Sequence, residues 1–232
     1  MSKSSNSVPM HLGLILDGNR RWAREHGLPQ LEGHRKGYET FKTIGLAALE
    51  RGVKYVSAYI FSTENWNRTQ DEINYLMKLI TWVCNHEIKE MNERNIRIRV
   101  LGSRERLSKT VLKAINKAES TSQNNTGGTL VLCINYGGQQ EIADAVKKII
   151  KKSDKNDEVT PVMVEQNLYS PDIPSIDLLI RTSGEQRLSN FMLWRAAYSE
   201  LIFVEKYWPA FSVQDLDDCL AEYAQRQRRF GS

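Results

Sequence analysis

The run His11-Leu-Gly-Leu-Ile-Leu16 passes directly into Asp17-Gly-Asn-Arg-Arg-Trp22, and the reading of this join decides the fold. A short apolar run bounded by a turn signal suits a buried strand. An acid, a glycine, an amide and two arginines come immediately after it. Gly18 and Asn19 tolerate unusual backbone angles and leave amides free, and a helix beginning near Arg20 would add its positive end. A phosphate could therefore be cradled just past the strand. Asp17 would then hold a magnesium ion against the phosphates, because a hard cation prefers oxygen ligands and often bridges carboxylate to diphosphate. A capping Asp-Gly turn with surface arginines accounts for the same residues without any ligand.

Working outward, five more short apolar runs with β-branched content recur at Val53–Phe61, Ile96–Leu101, Thr129–Asn135, Ile176–Arg181 and Leu201–Val204. Between them lie helical periodicities or turns. The clearest helix spans Asp71 to Arg94, with Ile73, Met77, Ile80, Cys84, Ile88 and Met91 at helical spacing and Leu76, Leu79 and Val83 widening the apolar face. A second runs from about His34 to Arg51, closed by Gly52 as C-cap. A third follows Ser212, which pairs with Asp215 as a capping box. This alternation predicts an α/β fold, a single domain with a mostly parallel six-stranded sheet flanked by helices. Ligands bind such sheets beyond the carboxyl ends of the strands. Residues 1–9 read as a disordered polar N-terminus and 10–232 as the folded domain; the polar stretch Lys151–Glu158 is too short to divide it.

Composition narrows the function classes. With 32 basic and 28 acidic residues the net charge is only +4, so no global field argues for nucleic acid. The three cysteines form no CxxC and the four histidines make no zinc set, which predicts free thiols in a reducing compartment. No apolar stretch approaches the ~20 residues of a membrane span, and the expectation is a cytoplasmic protein.

Two further polar clusters come after predicted strands. Ile180-Arg-Thr-Ser-Gly-Glu-Gln-Arg-Leu-Ser-Asn190 offers Arg181, Arg187 and Ser189, which suit a diphosphate because guanidinium groups bind phosphate oxygens bidentately and keep their charge. Phe61-Ser-Thr-Glu-Asn-Trp-Asn-Arg68 offers Ser62, Asn65 and Arg68 at the same rim. A solvated basic loop is the bland account of the first of these taken alone. No segment matches GxxxxGK[ST] or GxGxxG, so a nucleotide is not the expected ligand. There is also no DDxxD; Asp217-Asp218 reads as the solvated face of an amphipathic helix.

Taken in order, Asp17-Gly-Asn-Arg-Arg-Trp22, Gly33-His-Arg-Lys-Gly37, Ser62-Thr-Glu-Asn-Trp-Asn-Arg68, Asn135-Tyr-Gly-Gly138 and Asp177-Leu-Leu-Ile-Arg-Thr-Ser-Gly-Glu-Gln-Arg-Leu-Ser-Asn-Phe191 resemble the cis-prenyltransferase family of undecaprenyl diphosphate synthase. Trp194, Tyr198, Glu200, Leu201 and Trp208-Pro209 continue the match, which runs from about His11 to Gly231. The resemblance implies a homodimer with an apolar product tunnel, using Mg2+ to condense isopentenyl diphosphate onto an allylic diphosphate such as farnesyl diphosphate. It implies that Asp17 and Asn65 are catalytic and that Asp17 and Glu200 hold the metal. Gly18, Asn19, Arg20, Arg21, Trp22, His34, Ser62 and Glu64 would bind the allylic diphosphate, and Arg68, Arg181, Arg187 and Ser189 the isopentenyl diphosphate. Arg229 and Gly231 match a tail that crosses to the neighbouring subunit. Undecaprenyl diphosphate (C55) is the expected product, with a transient membrane-surface contact for its release. Arg20, Gln30 and Gln186 depart from the commonest residues of the family and leave product length and donor grip open. A shorter or dolichol-length product, a noncatalytic partner subunit and a polyanion-binding module using Arg226-Gln-Arg-Arg229 are the rival readings.

Overall fold

The computed structural model describes residues 8–152 and 158–226. Six strands, β1 (His11–Ile15), β2 (Tyr55–Ser62), β3 (Ile96–Leu101), β4 (Gly128–Tyr136), β5 (Leu178–Thr182) and β6 (Glu200–Val204), form one sheet in the order β3-β4-β2-β1-β5-β6. Every pairing is parallel. All six strands lie within two residues of the runs read from the sequence. Successive side chains of β4 point to opposite faces yet all are buried, as a parallel sheet covered on both sides requires.

One face packs Leu12, Leu14, Val56, Ile98, Leu130, Leu132 and Ile180 against helices α2 (Gln30–Glu50), α3 (Gln70–His86), α5 (Lys109–Ser122) and α8 (Val213–Gln225). The other packs Ile15, Val131, Cys133 and Leu179 against Phe191 and Met192 of the β5–β6 connection. A satellite cluster joins α6 (Gly138–Lys152) to α7 (Pro161–Asn167). The two remaining helices are short: α1 (Asn19–Glu25) and α4 (Ile88–Glu93).

Local chemistry sets the helix boundaries. The α2 helix begins at Gln30, one turn before the predicted His34, because Pro29 fixes the entry. It ends where Gly52 adopts φ +99, with Gly52 N–H donating to the Leu49 carbonyl at 3.0 Å and Val53 N–H to the Ala48 carbonyl at 3.2 Å. These two bonds satisfy carbonyls that the helix end would orphan. Ser212 and Asp215 form the expected capping box, Ser212 N–H donating to Asp215 Oδ2 at 2.7 Å and Asp215 N–H to Ser212 Oγ at 3.2 Å. Two sequence expectations need correction. The helix read as Asp71–Arg94 is two, α3 and α4, broken at Glu87. Asp217 is no free solvated acid, since Arg51 Nη2 donates to it at 2.8 Å and ties α8 to α2.

Candidate active site

The chain leaves β1 toward β2 on one side and leaves β5 toward β6 on the other, so the crevice past the ends of β1 and β5 is the sheet's switch point. Asp17 enters it from β1 and Arg181 from β5. Arg181 Nη2 donates to Asp17 Oδ2 at 2.8 Å, while Asp17 Oδ1 accepts the Gly18 N–H at 2.7 Å and Arg21 Nη2 at 3.4 Å. Burial alone would raise the Asp17 carboxyl, but the hydrogen bond and charge of Arg181, the Gly18 amide and Arg21 together hold it below its ordinary value. It is therefore an anion at neutral pH. Backbone ties fix its position: Thr182 Oγ1 donates to the Asp17 carbonyl at 2.8 Å, and Trp208 N–H donates to the same oxygen at 2.9 Å. Gly18 sits at φ +100, and a Cβ there would lie 2.7 Å from the Tyr207 ring and 2.8 Å from Ser183 Oγ. No other residue fits both the angle and the space.

The rim on the β5 side is a chain of charges. Arg21 Nη1 donates to Glu185 Oε1 at 3.0 Å, and Arg187 Nη1 to Glu185 Oε2 at 2.6 Å. Arg181 Nη1 donates to Ser189 Oγ at 2.8 Å and also to the Arg187 carbonyl. Asn190 then links three segments: its amide donates to Glu64 Oε1 at 3.0 Å, its side-chain oxygen accepts Gln139 N–H at 2.8 Å, and its carbonyl accepts Gly138 N–H at 2.7 Å. Asn19 Oδ1, Arg181 Nε and Ser183 Oγ are buried with no hydrogen-bond partner among the described residues. Such orphaned groups in a crevice are what a polar ligand would satisfy.

Facing this rim, a second cluster gathers around Glu72, which is 5% exposed. It accepts His34 Nε2 at 2.9 Å and Arg68 Nη1 at 2.8 Å, with Arg20 Nη1 at 3.6 Å. The bond from His34 is the largest influence and lowers the Glu72 carboxyl, against burial and with help from Arg68. Burial depresses the Arg68 guanidinium, which Glu72 partly offsets. Asn65 acts here as a cap, its side chain accepting Ser62 N–H at 3.1 Å in a reciprocal capping box that shapes the short turn Thr63–Asn67. Helix α1 can approach α2 this closely because Gly33 and Gly37 lack Cβ atoms, which would collide with Asn19.

Between the two clusters opens a cavity of about 610 Å3. Asp17, Asn19, His34, Ser62, Glu64, Asn65, Arg68, Arg181 and Ser189 line its mouth, and the apolar residues Phe41, Leu76, Leu79, Ile80, Val83 and Leu132 line its depth. The apolar stripes of α2 and α3 are thus cavity wall as well as core.

The sequence profile of the undecaprenyl diphosphate synthase family of prenyltransferases matches residues 15–231. This chain belongs to that family. It is a prenyltransferase, 44% identical over 230 residues to an isoprenyl transferase of Staphylococcus saprophyticus, covering 97% of this chain and 91% of the relative. It is 41% identical over 228 residues to the farnesyl-diphosphate-specific ditrans,polycis-undecaprenyl-diphosphate synthase of Micrococcus luteus, covering 97% and 92%. Among solved structures, lavandulyl diphosphate synthase of Lavandula x intermedia in complex with dimethylallyl diphosphate superposes with a TM-score of 0.94 at 36% identity, covering 98% of this chain and all of that one.

Most of the site residues expected of a prenyltransferase converge, with clear exceptions. Asp17, Gly18, Asn19, Arg21, Arg181, Arg187 and Ser189 meet at the switch point, Arg20, His34 and Arg68 gather around Glu72, and Ser62, Glu64 and Asn65 line the cavity mouth, with Glu64 bonded to Asn190 of the rim. Trp22 stacks on His26, with ring centroids 4.3 Å apart, and does not line the cavity. Glu200 is not beside Asp17 in this chain. It opens β6 opposite Leu178, whereas Asp17 lies past Ile15, which pairs with Arg181 three residues further on. Its carboxylate instead accepts Arg226 Nη1 at 2.9 Å. Arg229 and Gly231 lie outside the described residues. Glu72, Glu185 and Asn190 are bonded to candidate site residues and are passed over by the sequence reading; the i,i+4 spacing of Arg68 and Glu72 was the available signal. No group of three or more His, Cys, Asp or Glu side chains converges among the described residues. An ionised Asp17 at a cation-rich rim still fits Mg2+, which is commonly held by one carboxylate together with substrate phosphates and water.

Proposed function

We propose that this prenyltransferase extends an allylic diphosphate, farnesyl diphosphate, with isopentenyl diphosphate in a Mg2+-dependent reaction whose product is undecaprenyl diphosphate. The observation that supports this reading most is the cavity itself: cationic groups from both clusters ring its mouth, as a pair of diphosphates requires, and an apolar interior suits a growing hydrocarbon tail. Gly18, Asn19, Arg20, Arg21, His34, Ser62 and Glu64 form the allylic diphosphate site. Arg181, Arg187, Ser189 and Arg68 form the isopentenyl diphosphate site. The ion pair between Asp17 and Arg181 couples the two.

Asp17 would hold Mg2+ against the diphosphate, where the ion supplies Lewis-acid neutralisation of the leaving group. The allylic carbon–oxygen bond breaks with its electron pair passing to the diphosphate, and the cationic donors at the mouth stabilise that charge. The isopentenyl double bond then supplies the electron pair of the new carbon–carbon bond, and transfer of a proton to a carboxylate or a diphosphate oxygen returns the C–H electron pair to a new double bond. Asn65 and Arg68 orient the two partners, so catalysis rests on electrostatics and positioning. The family resemblance supports a homodimer in which the segment bearing Arg229 and Gly231 reaches the neighbouring site. It also supports a peripheral membrane encounter as the apolar product leaves; no helix among the described residues is long and apolar enough to cross a membrane.

Incubation with farnesyl diphosphate, radiolabelled isopentenyl diphosphate and Mg2+, with an EDTA control and chromatographic sizing, tests this directly. Metal-dependent C55 product is expected. A shorter product would bring the chain nearer to the lavandulyl diphosphate synthase it resembles in structure, and a longer one to a dolichol-length enzyme. No product with farnesyl, geranyl or geranylgeranyl donors would favour a noncatalytic partner subunit.

A further inference from the structure

Beyond Phe41, Val83, Cys84 and Leu132, the main cavity gives way to a second one of about 40 Å3 that shares those four side chains and Tyr38. At about 10–15 Å3 for each water-sized group, it holds roughly three such groups. That is less than one five-carbon unit. A tail that has filled the main cavity therefore cannot move inward by another unit unless the walls of this second cavity part.

Those walls are held together by charge. Lys42 and Glu87 both line the small cavity. Lys42 Nζ, on α2, donates to Glu87 Oε2 at 2.6 Å and to Glu90 Oε2 at 2.6 Å. Glu87 is also the residue at which α3 ends and α4 begins, so one carboxylate of the cluster sits on the break itself. Glu90 is shared with Arg94, whose Nε donates to it at 3.0 Å, which anchors the α4 side. Apart from Tyr38, whose phenol lies beside Glu87, the rest of the shared wall is apolar and contributes only contact. The Lys42 and Glu90 side chains are about one-third exposed, at 31% and 33%, so solvent weakens the pairs and a growing tail can displace them.

We propose that the Lys42–Glu87–Glu90 cluster is a latch across the distal end of the tunnel, and that its closure sets how many five-carbon units the product receives. This rests on the chain-elongation reading above and names the groups that would govern product length. The latch lies at the far end from Asp17 and Arg181, so opening it leaves the diphosphate sites untouched.

The experiment compares product length and the rate of the first condensation in the wild type, Lys42→Met, Glu87→Gln and Lys42→Arg. Lys42→Met keeps most of the stem and removes the charge. Products one or more units longer are expected for Lys42→Met and Glu87→Gln, with the first-condensation rate within twofold of wild type, whereas Lys42→Arg keeps the wild-type length. A second arm needs no variant: raising salt from about 0.1 to 1 M, which shortens the screening length from about 10 to 3 Å, should lengthen the wild-type product and leave that of Lys42→Met unchanged. Unchanged or shorter products in both neutral variants, or a wild-type product indifferent to salt, would overturn the latch. Absence of any product from the wild type would instead defeat the elongation reading.

Discussion

Glu72→Gln removes one charge from the buried knot at the cavity mouth while keeping its shape. Glu72 is 5% exposed and accepts His34 at 2.9 Å and Arg68 at 2.8 Å. Hydrogen bonds to an ionised group are worth roughly 1.5–3 kcal/mol against 0.5–1.5 for neutral ones, and glutamine also turns an amide donor toward one of two donors. The expected loss is about 2–3 kcal/mol, which for a chain of this size lowers the melting midpoint by about 4–12 °C. The pH dependence carries a definite sign. The Glu72 carboxyl is lowered in the folded protein from 4.5, so its contribution is fully present above that value and is lost as pH falls through the folded value. Urea unfolding of both proteins from about pH 7 to about pH 4 should therefore show a deficit that is full at neutral pH and shrinks on acidification. A variant as stable as wild type at neutral pH, or a deficit that does not change with pH, would refute the reasoning.

Two further outcomes concern residues away from the chemistry. His11 is buried with Nδ1 bonded to the Pro174 carbonyl at 2.8 Å and Nε2 to Ser57 Oγ at 2.7 Å, and burial lowers its pKa from 6.5 to about 4. Because the unfolded chain takes up the proton first, stability is complete above pH 6.5 and should fall by about 2 kcal/mol by pH 5, a slope that His11→Asn removes in urea titrations. Alanine normally stabilises a helix by roughly 0.5–1 kcal/mol over glycine, but at Gly33 a Cβ would collide with the Asn19 carbonyl. Gly33→Ala should instead lose about 1–3 kcal/mol by thermal unfolding and, by displacing Asn19, reduce turnover.

The sheet was legible because parallel strands are buried on both faces and so appear as continuous β-branched runs, as in Val53–Phe61 and Thr129–Asn135. The break at Glu87 was not, because Cys84, Ile88 and Met91 carry the helical repeat straight through it. Periodicity records which face is buried and is blind to a change of axis. The phosphate-ready loop after β1 could be read because an acid, a glycine and two arginines come directly after a strand. Glu72 escaped notice because an acidic residue in a first helical turn has an ordinary reading as a partner of the helix dipole. Only folding shows it buried beneath His34, Arg68 and Arg20. Glu200 shows the opposite limit: motif order places it near Arg181 in the chain, but it begins a strand where Arg181 nearly ends one.

If the switch point is the catalytic centre, turnover depends on Asp17 more than on any other side chain there. The most direct test is the single-turnover rate of the first condensation in wild type and Asp17→Asn, with farnesyl diphosphate binding measured alongside. Loss of one preorganised charge at a reacting group typically costs about 100- to 1,000-fold in rate. The expected result is a fall of that size with binding of the allylic diphosphate largely retained, since Gly18, Asn19, Arg21 and His34 remain in place. A rate within a few-fold of wild type in a folded Asp17→Asn protein would contradict the assignment of the site.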